Sequence, residues 1–275
     1  MTLSDEDARR VYWADRLDAA FRFLDTISSY EIAECHEPAE SLSQAAEAAN
    51  IEVAFSNKSH VNGLPRLFLL RRGLIPSFLS VAREMNARGW VLKVEDAYRT
   101  IEMQRGLSRQ PQVLPTVLRM TRWECHGEEP SIELIYRRLG ALVANSPKVG
   151  THMSGSAIDI SVLDRDSGEE VNRGALYLDI SERTPMDSPY IAQAAQLNRQ
   201  AITQLMRRHG FDAYPWEFWH YNAGDAYAAL LNATGSPARY GPVHVNLADG
   251  RVTAIMNPRE PLNSPAEIQE ELARL

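Results

Sequence analysis

Two histidines and one aspartate in this chain have side chains that could together hold a catalytic metal ion. His152 and Asp159 lie in one short segment, and His220 follows much later in the chain. Imidazole nitrogens and a carboxylate oxygen are zinc ligands, and a three-ligand site leaves one coordination position open for water. Because a structural zinc site has four protein ligands, this set of three favours a catalytic centre.

A second carboxylate, that of Glu217, stands shortly before the last histidine in the sequence Trp216-Glu217-Phe218-Trp219-His220. From that position Glu217 could take a proton from a water molecule at the metal. Each half of the set is a weak signal alone, and the two halves together are specific. The competing interpretation is a buried histidine–aspartate pair that is hydrogen-bonded and holds no metal.

The residues around Asp159 predict how it is positioned. Apolar and polar residues alternate over 158–163, which is typical of a strand with one face toward the core and the other toward a cleft. Asp159 lies on the cleft face of this pattern. Gly155 permits a positive φ or a close approach, and Ala157 leaves room beside a metal.

Helical spacing of apolar residues and capping signals predict most of the other elements. We expect helices over 4–27, within 38–49, from Ile75 to a glycine cap at Gly89, over 117–123, 132–139 and 191–208, and after Ser264. A strand is expected at 90–95, and a hairpin at 243–247 and 251–255. In the helix over 191–208, the expected core-facing residues are Ala194, Leu197, Ala201, Ile202 and Leu205.

The composition limits the possible classes of function. The chain has 275 residues, of which 44% are hydrophobic, and a net charge of −7, so it can bury a large core. It has no basic stripe, which argues against nucleic acid as a partner. No apolar run reaches the roughly 18 residues that span a bilayer, and the acidic N-terminus does not resemble a secretory signal. We therefore expect a cytoplasmic protein without membrane contact.

These motifs resemble the zinc D-alanyl-D-alanine peptidase family, and within it the D-Ala-D-Ala dipeptidases of the vancomycin-resistance type. The family pattern SxHxxGxAxD is matched at His152, Gly155, Ala157 and Asp159. The pattern ExWH is matched at 217–220, and a DxYR-like segment at 96–99. The likeness covers roughly residues 50–230.

The resemblance implies a role for each matched residue. His152, Asp159 and His220 would hold Zn²⁺, although this ligand set suits several divalent metals. Glu217 would act as general base toward the attacking water and then as general acid toward the leaving amine. Arg99 would hydrogen-bond the scissile carbonyl oxygen, a contact worth on the order of 10²–10³ in rate.

The resemblance also implies the architecture. We expect an α+β fold of the hedgehog/DD-peptidase-like type, with a small antiparallel sheet flanked by helices and a single zinc site in a cleft. Residues 51–230 would form the peptidase domain, with a helical extension over 1–50 and a C-terminal hairpin and helix over 231–275. The extensions could narrow the cleft or build a homo-oligomer.

The expected function is zinc-dependent hydrolysis of D-alanyl-D-alanine, a small peptide substrate that suits a cytoplasmic enzyme. A D,D-carboxypeptidase acting on peptidoglycan peptides is the alternative within the same class. A non-catalytic module that retains zinc for binding is the alternative from another class. The position before Thr151, usually serine in the family, is Gly150 here, which leaves the fine specificity open.

Overall fold

The computed structural model describes residues 4–275, which form helices around a central sheet. The strands are β1 Ala39–Ser41, β2 Val53–Phe55, β3 Leu69–Arg71, β4 Trp90–Asp96, β5 Ala157–Asp164, β6 Asp212–Ala213, β7 His220–Asn222, β8 Val243–Val245 and β9 Val252–Ala254. The helices are α1 Asp5–Ser29, α2 Leu42–Ala48, α3 Ile75–Ala87, α4 Ile101–Leu107, α5 Leu114–Glu124, α6 Ile132–Leu142, α7 Gln193–Arg208, α8 Ala226–Leu231 and α9 Pro265–Leu272.

The central sheet has five strands in the order β2-β4-β5-β7-β6. Strands β4, β5, β7 and β6 pair antiparallel, whereas β2 pairs parallel to β4. The prediction of a purely antiparallel sheet was therefore wrong at this edge. The chain passes through α3 between β2 and β4, and a helical crossover of this kind is what brings two strands side by side in parallel.

Helices α3 and α7 pack on the sheet to form the main core. Phe78 and Met85 of α3 and Ile202 of α7 are fully buried with the strand residue Ile160. The predicted helices at these positions are confirmed, and Gly89 ends α3 with φ +77°. The predicted inner face of α7 was wrong in part.

The buried face of α7 is rotated relative to its apolar pattern. Ala195, Arg199 and Met206 are buried, whereas Leu197 is 56% exposed and Ala194 is also exposed. The physical reason is the buried Arg199 side chain, which binds the carbonyl groups of a long loop instead of facing solvent.

The N-terminal helix belongs to a helical layer beside the sheet. The hydroxyl of Ser4 accepts a hydrogen bond from the backbone N–H of Asp7 and caps α1, as the sequence predicts. Trp13 and Leu17 of α1 pack with Met120 of α5. Among the helices of the described residues, none is long and apolar enough to cross a membrane.

The C-terminal region confirms two further predictions. Strands β8 and β9 pair antiparallel as a hairpin whose turn contains Gly250 at φ +73°. Helix α9 begins with a capping box, in which the Ser264 side chain accepts from the Glu267 N–H and the Glu267 side chain accepts from the Ser264 N–H.

Candidate metal centre and active-site cleft

Neighbouring strands place two of the predicted metal ligands side by side. Asp159 of β5 lies opposite Asp96 of β4 on one side and opposite His220 of β7 on the other. Side chains of directly opposed residues project to the same face of a sheet. As a result, Asp159 Oδ1 lies 3.0 Å from His220 Nδ1.

The third predicted ligand, His152, is supplied by a short 3-10 turn before β5. The turn spans Thr151–Ser154 and ends at Gly155, whose φ of +66° favours glycine. The His152 Nδ1–H donates to the carbonyl oxygen of Ala97 at 2.5 Å, which orients the ring. His152 Nε2 then lies 3.2 Å from Asp159 Oδ1.

These three side chains fit a zinc ion. Their ligand atoms lie within 4.8 Å of one another, and they form the one such cluster of three found within residues 4–275. Zinc–ligand bonds of about 2.0–2.1 Å at tetrahedral angles separate ligand atoms by about 3.3 Å, close to the distances seen here. His152, Asp159 and His220 would therefore hold the metal, with one position left for water or substrate.

The ionisation of the ligands also suits a metal. Burial opposes a charge on Asp159, but His152 and His220 outweigh it and hold the pKa of this carboxyl well below its usual range. Burial lowers the pKa of His220, which keeps its ring neutral and able to donate a lone pair.

A second set of side chains fixes the orientation of the ligands. Asp159 Oδ2 accepts hydrogen bonds from the Tyr177 hydroxyl at 3.0 Å and from Arg99 Nη2 at 3.2 Å. His220 Nε2 lies 3.0 Å from Thr151 Oγ1. These contacts leave Asp159 Oδ1 and His220 Nδ1 facing the shared ion position, as outer partners of metal ligands commonly do.

Arg99 lies in the cleft beside these ligands. Its Nε donates to Asp96 Oδ2 at 2.7 Å, and its Nη1 donates to Gln104 at 3.3 Å. Asp96 also contacts His60 and Arg66, each at 3.2 Å. His60 is buried against this carboxylate.

Glu217 occupies the turn between β6 and β7. The backbone N–H of His220 donates to the Glu217 carbonyl at 3.2 Å, so the turn sets Glu217 beside the ligand. Burial and the negative charge of Asp159 raise the pKa of the Glu217 carboxyl to about 8, against the lowering effect of Arg99. A carboxyl with such a pKa can exchange a proton near neutral pH.

A cavity of about 140 Å³ connects these groups. Arg99, His152, Glu217 and His220 line it, and most of the remaining wall is aliphatic. Leu24 of α1 is part of that wall, so the N-terminal helix contributes directly to the cleft.

A family model described as D-ala-D-ala dipeptidase, Peptidase_M15, matches residues 65–237, which is more than half of the chain. The chain belongs to this family. Membership confirms the resemblance found in the motifs.

Curated relatives of this peptidase are D-alanyl-D-alanine dipeptidases. That of Enterococcus faecalis is 33% identical over 75 residues, covering 27% of this chain and 37% of the relative. That of Enterococcus faecium is 35% identical over 71 residues, covering 26% and 35%. The chain thus spans little more than a third of the length of the curated relatives it matches.

Among solved structures, the peptidase is similar to a vancomycin resistance D,D-pentapeptidase in complex with Zn(II). The identity is 15%, the TM-score is 0.37, and the match covers 75% of this chain and 94% of that one. A likeness of this size carries no argument about the site.

Three residues at the site of this peptidase were not predicted from the sequence. Tyr177 lies in a loop without periodicity, so no pattern marks it. Thr151 comes directly before the proposed ligand His152, and this adjacency is the one sequence signal that could have indicated a role. The Tyr214 hydroxyl is buried and has no hydrogen-bond partner within the described residues.

Proposed function

We propose that this peptidase hydrolyses D-alanyl-D-alanine with the help of a zinc ion held by His152, Asp159 and His220. One observation carries the proposal: the three ligand atoms converge beside the small cleft that His152 and His220 line together with Glu217 and Arg99. Neither Glu217 nor Arg99 is needed to hold the ion, so their presence in the cleft favours a catalytic site over a metal-binding module.

Zinc, when bound, lowers the pKa of water and polarises a carbonyl group. The Glu217 carboxylate takes one proton from the water while the water oxygen forms a bond to the scissile carbonyl carbon. The same proton then passes from Glu217 to the amide nitrogen as the C–N bond breaks. In the metal-free protein, the pKa of the Glu217 carboxyl is about 8. A pKa near neutral pH lets this one group both accept and release the proton.

The guanidinium of Arg99 stabilises the carbonyl oxygen as it becomes negative. Its contacts to Asp96, Asp159 and Gln104 hold it in the cleft, and the two N–H groups that these contacts do not use can donate to substrate. Losing one such donor costs on the order of 10²–10³ in rate in other enzymes.

The cleft has room for a dipeptide beside the proposed zinc ligands. One water needs roughly 10–15 Å³ of such a cavity, so 140 Å³ has room for on the order of ten small groups. That is the size of a dipeptide. A D,D-carboxypeptidase would bind the rest of a peptidoglycan pentapeptide outside this cavity.

The test compares zinc-loaded protein on free D-Ala-D-Ala and on a pentapeptide that ends in D-Ala-D-Ala. We expect a higher kcat/KM on the dipeptide, loss of activity with a chelator and recovery with zinc. Preference for the pentapeptide would favour the carboxypeptidase instead.

A variant at Glu217 separates the enzyme from a zinc-retaining binding module. Glu217→Gln should keep bound zinc and lower kcat by about 10²–10⁴. The matched control is Glu169→Gln, an exposed residue away from the cleft. Normal hydrolysis by Glu217→Gln would refute the proposed mechanism, and inactivity of the unaltered, zinc-loaded protein on every peptide would favour the module.

A further inference from the structure

Leu178 is an unusual residue at the cleft of the proposed active site. It has φ +66°, in the left-handed region that is unfavourable for a leucine. It is also 53% exposed, and its side chain lines the same cavity as Glu217 and His152. Neither the backbone conformation nor the exposure benefits folding, and local strain of this kind is found mainly at functional sites.

The surrounding loop holds Leu178 in this position. The preceding residue, Tyr177, donates its hydroxyl to Asp159 Oδ2 at 3.0 Å and thereby ties the loop to a proposed ligand. The buried guanidinium of Arg199 donates to the carbonyl groups of Arg173, Arg183 and Pro185 of the same loop. Leu178 is therefore a fixed part of the cleft wall.

Most of the rest of the cavity wall is aliphatic, and the aromatic side chains of Tyr214, Trp219 and Tyr227 also line it. Aliphatic side chains from α1, the segment after α4, the end of α6 and the loop of Leu178 line the cavity, among them Leu24, Val113, Leu142, Val143 and Ile180. The charged side chains that line it are Arg99 and Glu217, both with roles proposed above, beside the two histidines. This wall offers an aliphatic group of the substrate a surface to bury against.

We infer that the cleft selects a D,D-dipeptide in which one residue carries an aliphatic side chain larger than methyl, and that Leu178 contacts this side chain. The inference rests on the peptidase activity proposed above and names its substrate class more closely. A single methylene in an apolar pocket changes kcat/KM by roughly 10–200-fold, so the preference should be measurable.

The first experiment measures kcat/KM of the zinc-loaded protein on D-Ala-D-Ala, D-Leu-D-Ala and D-Ala-D-Leu. We expect one of the leucine dipeptides to exceed D-Ala-D-Ala by at least about tenfold. Hydrolysis with D-Ala-D-Ala as the best substrate would overturn this inference and leave the proposed activity intact. Hydrolysis of none of the three would overturn both.

The second experiment tests Leu178 itself. Leu178→Asn keeps a residue that tolerates positive φ but removes the apolar surface, so the ratio of kcat/KM between the preferred leucine dipeptide and D-Ala-D-Ala should fall about tenfold. Leu176→Ala is the matched control, because Leu176 is 71% exposed on the same loop but does not line the cleft. An unchanged ratio in Leu178→Asn would overturn the role of Leu178.

Discussion

Asp159 and His220 are directly opposed residues of two antiparallel strands, and Asp159 Oδ1 lies 3.0 Å from His220 Nδ1. Their spacing is set by the hydrogen bonds of the sheet, so it does not depend on a bound metal. The third ligand, His152, comes from a 3-10 turn and is oriented by a single bond to the Ala97 carbonyl. Two ligands are thus held by the sheet, and the third completes the site.

His152→Ala should abolish high-affinity zinc binding, because the two strand ligands alone provide an incomplete set. We expect zinc content measured by elemental analysis to fall from about one ion per chain to near zero. The circular dichroism spectrum should be retained, since the sheet does not need this side chain. His244→Ala, at an exposed position, serves as the control. Full zinc occupancy in His152→Ala would contradict the ligand assignment.

Thr151 should tune metal affinity without touching the metal. Its Oγ1 lies 3.0 Å from His220 Nε2 and thereby orients the ring whose Nδ1 faces the ion position. Thr151→Val keeps the shape and removes the hydroxyl, so zinc should bind about 10–100-fold more weakly in a competition titration. Thr151→Ser should restore the affinity. Equal affinities for the valine and serine variants would show that the hydroxyl has no such role.

Residues with strong local patterns were predictable from the sequence. The strand containing Asp159 shows regular alternation, and its neighbours in the sheet follow from antiparallel pairing. Helix α3, with its glycine cap, and α9, with its capping box, have signals that depend only on nearby residues. Local geometry of this kind can be inferred from one chain because it needs no knowledge of distant contacts.

Features that depend on distant contacts were not predictable. Tyr177 reaches Asp159 from a loop without secondary structure, and nothing in its neighbours indicates this. The buried face of α7 was mispredicted because Arg199 turns toward the protein interior. Its guanidinium donates to the carbonyl groups of a loop, and these contacts cannot be read from the sequence of the helix. Strand β2 has three residues, which is too short for a pattern that would mark it as a strand or indicate its parallel pairing. The cytoplasmic location and self-association through the extensions stay predictions.

The raised pKa of Glu217 predicts how the stability of the metal-free protein changes with pH. The folded state keeps the proton up to about pH 8, whereas the ordinary pKa of 4.5 applies when the chain is unfolded. Between these values the folded state binds more protons, so this group lowers the free energy of unfolding as pH rises. Glu217→Gln removes the effect because its amide does not ionise.

The measurement is the free energy of unfolding in chelator at pH 5 and at pH 9. The stability of Glu217→Gln relative to the unaltered protein should increase between these values by at least about 1.4 kcal/mol, the equivalent of one pKa unit. The exposed Glu169→Gln should show no such trend. A difference that is constant with pH would mean that Glu217 ionises normally.

Arg71 connects both chain extensions to the turn that carries His152. Its side chain is fully buried and donates to the Ser154 carbonyl at 2.6 Å, to Glu34 at 2.9 Å and to the Gly241 carbonyl at 3.1 Å. Glu34 belongs to the N-terminal segment and Gly241 to the C-terminal one. One guanidinium group therefore links both segments to the turn that carries His152.

Arg71→Met should destabilise the protein strongly, because it leaves the Glu34 carboxylate without its ion pair and the carbonyl groups of Glu37, Ser154 and Gly241 without their donor. We expect the free energy of unfolding, measured with urea, to fall by about 3–5 kcal/mol. The neighbouring Arg72→Met is the control. Its ion pair with Glu40 is exposed and should contribute no more than about 1 kcal/mol. Equal stability losses for the two variants would show that the extensions are held by their apolar contacts and not by Arg71.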